Sequence, residues 1–417
     1  MPAIVLDCDY RSQEGIIQPL GRKGIPVFAI SSKNDCPAFH SKYVFRKCVS
    51  PQLSKNENQY LDYLLNLKIR GVLYYSDDLS AMAISKNKDI LIDSGFLLNI
   101  PDVDMLENAF DKWACYQIAS SIGIPMAKSA IVSNTQDILN EWDAFRKPII
   151  IKGTRLAGGI YKRIFKKSQI EQSWRKINDI VNSEHYSARR SGILMQEWEK
   201  YDITDNWSCE TLYDQNGQSI GFFTVKRIRS SLNKDGTFSS RLFAGYHKDC
   251  PQIVKHTKNI LKRMKWKGFA HVEYFYVPDK SKYLLTEVNP RLPGYAYYPS
   301  VAGFNMAYNY YLDLIGNRTC YINNFPKSYY FESFHYPGDI TQGICHILRG
   351  NLSLRSFLSS YLSLISKLKN IIVIDPIRLD DPSYTLHALF KTLKDFQNDC
   401  IRFLKNRIKS ILYNLHQ

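Results

Sequence analysis

The sequence of 417 residues lacks several features that mark particular protein classes. No stretch approaches the roughly 18 uncharged apolar residues that a membrane-spanning helix needs. The opening MPAIVLDCDYRS has neither a basic segment nor a long apolar run, so we expect no secretory signal. The nine cysteines are scattered, odd in number and form no CxxC pair. This usage predicts reduced thiols in a cytoplasmic protein, without a disulfide framework or a zinc site.

Acidic residues are scarce relative to basic ones. The chain has 39 Asp and Glu against 55 Lys and Arg, which gives a formal charge of +16. This excess indicates an anionic partner, but by itself it does not separate nucleic acid, membrane and phosphorylated small molecules. Apolar residues make up 45% of the chain, as in ordinary globular proteins, and the length predicts two to three domains.

Strand-like and helix-like segments alternate in the first hundred residues. The strand patterns cover 3–7, 26–30 and 71–76, and helical patterns cover 13–24 and 78–94. This alternation predicts βαβ units on a parallel sheet, in which ligands bind beyond the carboxyl ends of the strands. Segments 7–13 and 76–78 fall at that edge. No GxGxxG follows the first strand, so the sequence does not support a dinucleotide site.

The first candidate site lies in PIIIKGTRLAGGIYKRIFKK, residues 148–167. An apolar run ends at Lys152, and a turn with three glycines leads into a second strand pattern. Eight Lys and Arg and no acid lie between positions 145 and 170. Backbone N–H groups of a glycine-containing turn and a lysine charge suit a polyphosphate. The alternative is a basic hairpin on a solvated face.

The second candidate site lies in GFAHVEYFYVPDKSKYLLTEVNPR, residues 268–291. Alternation places His271 and Glu273 on one face of a strand, and a turn leads to a second strand with Glu287 and Asn289. Antiparallel pairing would bring Glu273 and Glu287 together. Two carboxylates and an amide oxygen, without soft ligands, suit magnesium that bridges phosphates. The alternative is a hairpin with two exposed acids.

Two further segments carry weaker signals. One is a buried strand at 193–195 that runs into a polar end and an acidic loop, with Gln196, Glu197, Trp198, Asp202 and Asp205. Such a strand end offers backbone groups to a purine edge and an acid to ribose hydroxyls, although an ordinary strand and loop explain the segment better when it is taken alone. The other is a strand with a basic cluster at Lys226, Arg227 and Arg229. This cluster suits a γ-phosphate or an acyl phosphate, but basic strand ends are common on surfaces.

In this order and spacing, the segments resemble the ATP-grasp superfamily. The opening QPLGRKGIPVFAISS, HSKYVFR and YYSDD resembles the domain that precedes ATP-grasp in its carboxylate–amine ligases. The resemblance covers roughly residues 1–316, and the combination of Lys152 with TEVNPR is specific to it. It implies ATP and Mg²⁺ as cofactors and an α+β ATP-grasp fold after an α/β domain with a parallel sheet. It also implies activation of a carboxylate as an acyl phosphate that an amine then attacks.

The resemblance assigns roles position by position. The nucleotide-binding positions are Lys112, Lys152, Gly153, Thr154, Gly158, Gly159, Gln196, Glu197, Trp198 and Asp205, with Asp202 as the alternative ribose-binding acid. The metal ligands are Glu273, Glu287 and Asn289. The catalytic residues that face the transferred phosphoryl group are Lys226, Arg227, Arg229 and Arg291. One position departs from D-alanine–D-alanine ligases, which have an arginine where this chain has His271. This departure argues against that subfamily or for a different role of His271.

The implied organisation is a domain at 1–110, an ATP-grasp domain at 111–317 with subdomains 111–191 and 192–317, and a helical extension at 318–417. The expected activity is amide formation between a small-molecule carboxylate and an amine, one of them carried on a nucleotide- or lipid-linked sugar or peptide, in cell-envelope or small-peptide biosynthesis. Two alternatives stay open. One is another acyl-phosphate chemistry, such as carboxylation with bicarbonate, and the other is a nonenzymatic nucleotide- or nucleic-acid-binding protein. No nucleic-acid recognition module is present, so we expect no nucleic-acid partner.

The C-terminal extension carries two amphipathic helical patterns, at 352–372 and 393–415. Residues 391–417 hold six Lys and Arg and two Asp, with apolar residues at helical spacing. A basic amphipathic helix can lie on anionic lipid at the inner face of the membrane. We favour the alternative, in which the stripe docks on the protein's own core or on the partner of a homodimer.

Overall fold

The computed structural model describes residues 1–9, 11–155, 160–183, 191–200, 206–230, 239–245, 250–317, 331–335, 338–348, 350, 352–366 and 371–415. Three β-sheets and fourteen α-helices lie within these residues. Short 3₁₀ segments cover Arg11–Gln13, Pro37–His40, Trp142–Ala144, Lys167–Gln169 and Pro278–Lys280. No helix in these ranges is both long enough and apolar enough to cross a membrane.

The first sheet contains four parallel strands in the order β3-β2-β1-β4. They are β1 (Ala3–Val5), β2 (Val27–Ser31), β3 (Val44–Val49) and β4 (Val72–Tyr74). Its helices are α1 (Glu14–Gly21), α2 (Glu57–Asn66), α3 (Asp78–Lys86) and α4 (Lys88–Asp93). The predicted parallel sheet and three of its strands are confirmed. Strand β3 was not predicted, because it lies at the edge and its residues are largely exposed rather than continuously apolar.

The second sheet has the order β5-β8-β6-β7, and each neighbouring pair is antiparallel. Its elements, in chain order, are α5 (Val103–Phe110), α6 (Lys112–Ser121), β5 (Ser129–Val132), α7 (Thr135–Asn140), β6 (Ile149–Gly153), β7 (Lys162–Ile164), α8 (Ile170–Val181) and β8 (Ile193–Glu197). Asp111 caps α6 by accepting from the backbone N–H of Trp113 at 2.9 Å. Gly123, with φ at +71°, follows the helix end, where glycine tolerates the left-handed backbone.

The third sheet contains seven strands in the order β13-β12-β9-β10-β11-β14-β15. Its elements are β9 (Asn206–Tyr213), β10 (Ser219–Ser230), β11 (Ser239–Gly245), α9 (Pro251–Arg263), β12 (Gly268–Val277), β13 (Lys282–Asn289), α10 (Tyr297–Val301), α11 (Met306–Leu314), β14 (Phe331–His335), α12 (Gly338–Leu348), α13 (Leu354–Ser366), β15 (Ile371–Asp375) and α14 (Pro382–Leu415). All pairs are antiparallel except β14 with β15. The ATP-grasp region therefore has the α+β character that the sequence predicts.

The C-terminal hundred residues are not purely helical, which corrects the sequence-based expectation. Strand β14 pairs with β11, and β15 pairs with β14, so this segment extends the third sheet. The helix predicted over 352–372 ends at Ser366, and the run Ile371–Asp375 forms a strand instead. A run of β-branched residues favours a paired strand over a continued helix, and the available sheet edge decides the outcome.

Helix α14 starts against the first sheet's domain and then leaves it. Its early residues Tyr384 and Ala388 are buried, and its first turns pack on the 3₁₀ segment Pro37–His40. On another side of the helix, Leu386, Phe390 and Leu393 share one face and are each about half exposed or more. Docking on the protein's own core therefore covers the beginning of α14 but leaves this apolar face uncovered.

Candidate functional site

The hairpin of β12 and β13 brings the two predicted metal-binding carboxylates together. Glu273 lies directly opposite Glu287, and His271 lies opposite Asn289. The side-chain amide of Asn289 donates to Glu287 Oε1 at 3.3 Å. The predicted antiparallel pairing is thus confirmed, and the carboxylates and the amide share one face because residues two apart on a strand point the same way.

Two cationic groups compensate the charge of Glu273. Arg227 Nη2, from β10, lies 2.9 Å from Glu273 Oε2, and His271 Nε2 lies 2.8 Å from Oε1. Burial opposes ionisation of Glu273, but the charges of Arg227 and His271 hold its pKa below the usual range. Arg227, predicted to face a phosphoryl group, is therefore engaged with a carboxylate in this structure.

His271 is buried between two carboxylates. Its Nδ1 lies 2.9 Å from both carboxylate oxygens of Glu210 on β9, which is fully buried. Burial would lower the pKa of His271, but the charges of Glu210 and Glu273 raise it to about 9. Tyr295 extends the network by donating to Glu210 at 2.6 Å. His271 is thus a buried cation that orients the carboxylate of Glu273. The sequence left the role of His271 open.

Lys152 lies at the end of β6, partly buried. Its Nζ donates to Gln196 Oε1 on the neighbouring β8 at 2.9 Å. Gln196 in turn donates to Ser129 Oγ on β5 at 2.8 Å, so three strands fix the lysine. Burial and the charge of Lys112 lower the pKa of Lys152 to about 7, whereas Glu287 acts in the opposite direction. The ammonium group is thus held where it loses hydration, within the electrostatic reach of a carboxylate on the third sheet.

The start of α6 is fixed to the end of β6. The backbone N–H of Lys112 donates to the carbonyl of Thr154 at 3.0 Å, and Thr154 Oγ1 donates to Asp111 at 2.9 Å. Arg155 also pairs with Asp111 at 3.2 Å. These contacts place both lysines that the resemblance assigns to phosphates beside one another. Gly153 ends β6, and positions 156–159, with Gly158 and Gly159, lie outside the described residues.

The polar end of β8 has two distinct parts. Glu197 accepts from the backbone N–H of Arg146 at 3.0 Å, and the backbone N–H of Trp198 donates to Pro148 at 3.0 Å. The Trp198 ring lies 3.9 Å from the guanidinium carbon of Arg163, with the Tyr161 ring 5.5 Å away. This makes a flat, electron-rich surface beside a strand end. Asp202 and Asp205 lie outside the described residues.

Glu199 was not predicted. Its side chain is completely buried, and Lys280 Nζ from the β12–β13 turn lies 2.7 Å away, with Arg146 on its other oxygen. This pair of cations joins the second sheet to the third. The only local signal was the alternation of Glu197 and Glu199 at the end of the strand. This alternation does not reveal the partners of Glu199, which lie 53 and 81 positions away.

Arg291 flanks the carboxylate hairpin, whereas the register places Lys226 with Trp207 and Tyr274, on the opposite face of the third sheet from Glu273. Arg291 Nε lies 2.7 Å from Asp78 Oδ1, at the start of α3 and thus at the carboxyl edge of the first sheet. Lys226 Nζ lies 5.5 Å from the centre of the Trp207 ring, across the β9–β10 pairing. Arg229 belongs to β10, and its side chain lies outside the described residues. Three sheets therefore contribute to the region around the hairpin.

The donor set around Glu287 fits a hard divalent cation. Glu273, Glu287 and Asn289 supply oxygen donors only, on one face of one hairpin. Within the described part of the chain, no group of three or more His, Cys, Asp and Glu side chains is arranged to hold a metal by itself. The protein set is thus two carboxylates and an amide, which leaves positions for phosphate oxygens and water, as magnesium prefers.

Comparison with known proteins gives one relative by sequence. No family model matches the chain. The large chain of carbamoyl phosphate synthase from Clostridium acetobutylicum is 22% identical over 245 residues, which cover 56% of this chain. The match covers 21% of that protein, so the chain spans about a fifth of the length of the curated relative.

Comparison of structures is more informative. The biotin carboxylase domain of the 2-oxoglutarate carboxylase from Hydrogenobacter thermophilus, solved with MgADP, ADP and bicarbonate, superimposes with a TM-score of 0.66. That match has 12% identity and covers 80% of this chain and 74% of the other. An L-amino acid ligase from Bacillus licheniformis matches with a TM-score of 0.55 and 15% identity over 75% of this chain and 74% of the other. The chain has the ATP-grasp fold.

The ATP-grasp fold accounts for the order of the sequence motifs. Lys152 and the basic hairpin belong to the second sheet, and the carboxylate hairpin belongs to the third. Sequence reasoning found these residues because each has a local signal, namely an apolar run ending in lysine or an alternating acidic strand. It missed Glu210, and although it placed Asp78 at a ligand-binding edge it did not predict the partner Arg291, because such neighbours come from distant segments and leave no local pattern.

Proposed function

We propose that the protein is an ATP- and Mg²⁺-dependent ligase that joins a carboxylate to an amine, with release of ADP and phosphate. The observation that carries the proposal is the hairpin of β12 and β13, on which Glu273 lies directly opposite Glu287 with Asn289 on the same face, together with Lys152 on the second sheet, whose Nζ is held by Gln196. A triphosphate between the two sheets would satisfy both, since lysine binds its oxygens and a magnesium ion links it to the carboxylates.

The chemistry explains the charge arrangement. A carboxylate is a poor electrophile at neutral pH, and transfer of a phosphoryl group gives it a good leaving group. Glu273, Glu287 and Asn289 would hold Mg²⁺, which when bound offsets charge on the phosphate oxygens. Lys112 and Lys152 would bind phosphate oxygens, with the resemblance assigning the α and β positions to Lys152. Most of the protein's contribution is positioning and charge neutralisation.

The remaining assignments follow the same logic. Arg291 and the side chains of Arg227 and Arg229 would steady the transferred phosphoryl group. The segment 154–159 would cover the phosphates and keep water from the acyl phosphate. Gln196, Glu197 and Trp198 would meet the adenine, and the Arg163 guanidinium over the Trp198 ring, with the Tyr161 ring tilted beside it, supports a flat ligand there. Asp205 or Asp202 would meet the ribose.

The substrates are proposed as a class. The Bacillus licheniformis neighbour is an amino acid ligase, which supports an amide product for this chain. We infer a role in cell-envelope polysaccharide or peptide biosynthesis, in which the acid is an amino acid or a sugar uronate. Bicarbonate is the competing acid, since the Hydrogenobacter thermophilus neighbour holds bicarbonate with MgADP. We also propose that the protein is cytoplasmic and forms a homodimer. The alternative is peripheral contact with a membrane through residues 391–417.

The test is a screen of ADP release. The full chain, ATP and Mg²⁺ are incubated with a matrix of amino acids, uronic acids and bicarbonate crossed with amines, and products are identified by mass spectrometry. The expected result is ADP release that needs both an acid and an amine. ADP release with bicarbonate and no other acid would favour the carboxylase alternative, and Glu287→Ala with full turnover would refute the metal assignment.

A further inference from the structure

Helix α13 exposes a row of leucine side chains. Leu354, Leu358 and Leu362 are 59%, 53% and 65% exposed. They recur at every fourth residue, so they lie one above the other on one face of the helix. Single exposed leucines are ordinary on protein surfaces, but an aligned row is typical of a face that meets another apolar body. We name these three residues the leucine row.

Another side of α13 is fixed to the protein. Phe357 is buried, and its ring fills the space beside Gly343 of α12, where a Cβ would lie 1.9 Å from the ring. The hydroxyl of Tyr361 donates to the carboxylate of Asp339, which is fully buried in the first turn of α12. Helix α12 in turn packs on β11 and β14 of the third sheet. The leucine row therefore stays outside, because the inner side of the helix is already packed.

Helix α12 adds two exposed apolar side chains. Ile344 and Leu348 are four residues apart on this helix and are 42% and 59% exposed. Gly343, which precedes Ile344, is the residue on which Phe357 packs, so the two helices are in contact. The exposed apolar surface thus belongs to a packed pair of helices rather than to a single helix.

The charges of this segment are all positive. Residues 340–374 contain no Asp or Glu, and their basic residues are Arg349, Arg355, Lys367 and Lys369. Arg355 is exposed and directly follows the first leucine of the row. The acid that precedes the segment, Asp339, is buried and accepts from Tyr361. An apolar row accompanied by positive charge fits a surface that is both apolar and negatively charged.

A lipid surface fits these features better than a second copy of the chain. Two copies that met through the leucine row would bring the basic residues of 340–374 together, and this segment has no acid to pair with them. The apolar face of α14 differs in this respect, because Asp395 and Asp399 accompany the basic residues of that helix. The charge pattern therefore separates the leucine row from the face of α14.

The length of α13 determines how it can meet a bilayer. Its 13 residues are too few to cross the hydrocarbon core, which needs about 20. Ser356 is also exposed and lies on the opposite side of the helix from Leu358. A short helix with one apolar side and one polar side lies in the plane of the membrane surface, with its apolar side toward the acyl chains.

We propose that α13 binds the surface of an anionic membrane. The leucine row enters the boundary between headgroups and acyl chains, and Arg355 meets lipid phosphates beside it. This binding does not depend on the proposed ligase activity. It also differs from membrane contact through 391–417, because it predicts that vesicle binding survives the deletion of that segment.

The test is co-sedimentation of the full chain with vesicles of phosphatidylcholine and phosphatidylglycerol, and vesicles of phosphatidylcholine alone are the uncharged comparison. Leu358→Gln interrupts the leucine row, and Arg355→Gln removes the charge beside it. Ile90→Gln is the matched control, since Ile90 of α4 is 47% exposed and the residues four positions from it are polar. Thermal unfolding of each variant verifies that it is folded.

The parent should bind the anionic vesicles about tenfold or more tightly than the uncharged ones, and added salt should weaken this binding. Leu358→Gln should weaken it about tenfold and Arg355→Gln about fivefold, whereas Ile90→Gln should bind as the parent does. The inference is overturned if the parent binds no vesicles or binds both kinds equally. It is also overturned if Leu358→Gln binds as the parent does, or if deletion of 391–417 abolishes binding.

A second measurement needs no variant and therefore does not depend on how a substitution affects folding. Backbone amide hydrogen exchange in 354–366 should slow when anionic vesicles are added, because the bound helix opens less often. Exchange in 88–93, which covers α4, should not change. Unchanged exchange in 354–366 contradicts the inference. Slowing that follows protein concentration without vesicles would assign the leucine row to a second copy and overturn the lipid assignment.

Discussion

Lys152 is the residue whose surroundings folding alone explains least well. Its ammonium group is partly buried, has no carboxylate as a direct partner among the described residues, and donates instead to the neutral Gln196. The lowered pKa means that the folded chain holds this lysine less readily in its charged form than the unfolded chain does. A binding site for an anion explains this arrangement, because the ligand supplies the missing negative charge.

Replacing Lys152 with methionine is expected to stabilise the protein near neutral pH. Between pH 7 and pH 10.5 the unfolded chain binds the proton and the folded chain does not, so this group makes stability rise with pH over that window. The free energy of unfolding of Lys152→Met should therefore exceed that of the parent by about 1–3 kcal/mol at about pH 7. At about pH 10 the two should differ little.

Urea denaturation at the two pH values measures the gain, with the exposed Lys166→Met as the control. The same variant should lose ATP binding, measured by calorimetry. A variant that is destabilised near pH 7, or that binds ATP as the parent does, would contradict the role given to this lysine.

At this scale the sequence predicts residues with a local signature. Lys152 follows an apolar strand, and Glu273 and Glu287 alternate on strands that a short turn joins. The sequence could not predict that Arg227 and His271 would compensate the charge of Glu273. Two neighbouring carboxylates require a cation, and a bound metal ion was the simplest candidate. Arg227 comes from another strand, which only the sheet order reveals, and His271 lies on the same face of β12 as Glu273, where Glu210 of β9 holds it as a cation.

At the scale of elements, three adjacent strands supply and position the proposed metal ligands. β9 supplies Glu210, β12 supplies His271 and Glu273, and β13 supplies Glu287 and Asn289. The register places Glu210 directly opposite His271. Buried Glu210 therefore orients a proposed metal ligand through the imidazole, in the manner of partners that hold the first ligands of a metal in place.

Glu210→Gln is expected to weaken the dependence on magnesium without changing the fold of the hairpin. The neutral amide would hold His271 less firmly, and the concentration of Mg²⁺ for half-maximal ADP release should rise about 10–100-fold. Glu171→Gln, which breaks an exposed pair with Arg175, is the control. An unchanged magnesium dependence in Glu210→Gln would remove the positioning role.

Helix α14 exposes an apolar face among its described side chains. Leu386, Phe390 and Leu393 lie on one face, and residues beyond 390 add net positive charge. We predict that this face meets the same face of a second copy. Deleting 391–417 should convert a dimer to a monomer in light scattering and leave binding to anionic vesicles unchanged. A monomeric parent, or loss of vesicle binding on deletion, would favour the lipid alternative.

At the scale of the whole molecule, the C-terminal segment closes the structure onto its beginning. Arg378 is almost fully buried, pairs with Glu14 of α1 at 3.0 Å and stacks on Tyr297 at 3.6 Å. Asp381 accepts from the backbone N–H of Lys42 at 3.0 Å and from Ser41. The first sheet's domain is thus tied to residues more than 330 positions away, which sequence patterns do not reveal.

Removing a buried contact between the C-terminal segment and the beginning of the chain should lower the free energy of unfolding much more than removing an exposed one. Arg378→Ala removes the nearest cation from the buried carboxylates of Glu14 and Asp375 and leaves them the longer contacts with Arg11, at 3.8 and 3.6 Å. We expect a loss of about 3 kcal/mol in the free energy of unfolding. Arg22→Ala removes a partly exposed pair with Asp380 and should cost about 1 kcal/mol or less. Urea denaturation compares the two, and equal losses would contradict the closure.

The sequence predicts the overall order of sheets but not their edges. The parallel sheet and the α+β core follow from alternating patterns, whereas β3, β14 and β15 are edge or late strands whose pairing depends on distant neighbours. Part of the +16 charge can also be located in the structure, because Lys112, Lys152 and Arg291 lie around the proposed phosphate site. The rest of it is distributed along the second sheet's basic hairpin and helix α14.

The most direct test of the account follows one oxygen atom. The acid found in the screen is labelled with oxygen-18 in its carboxylate, and the phosphate released with ATP, Mg²⁺ and the amine is analysed by mass spectrometry. Activation as an acyl phosphate predicts one labelled oxygen in the phosphate for each amide formed, with ADP as the other product. Unlabelled phosphate, or release of AMP and pyrophosphate, would contradict the proposed ligase.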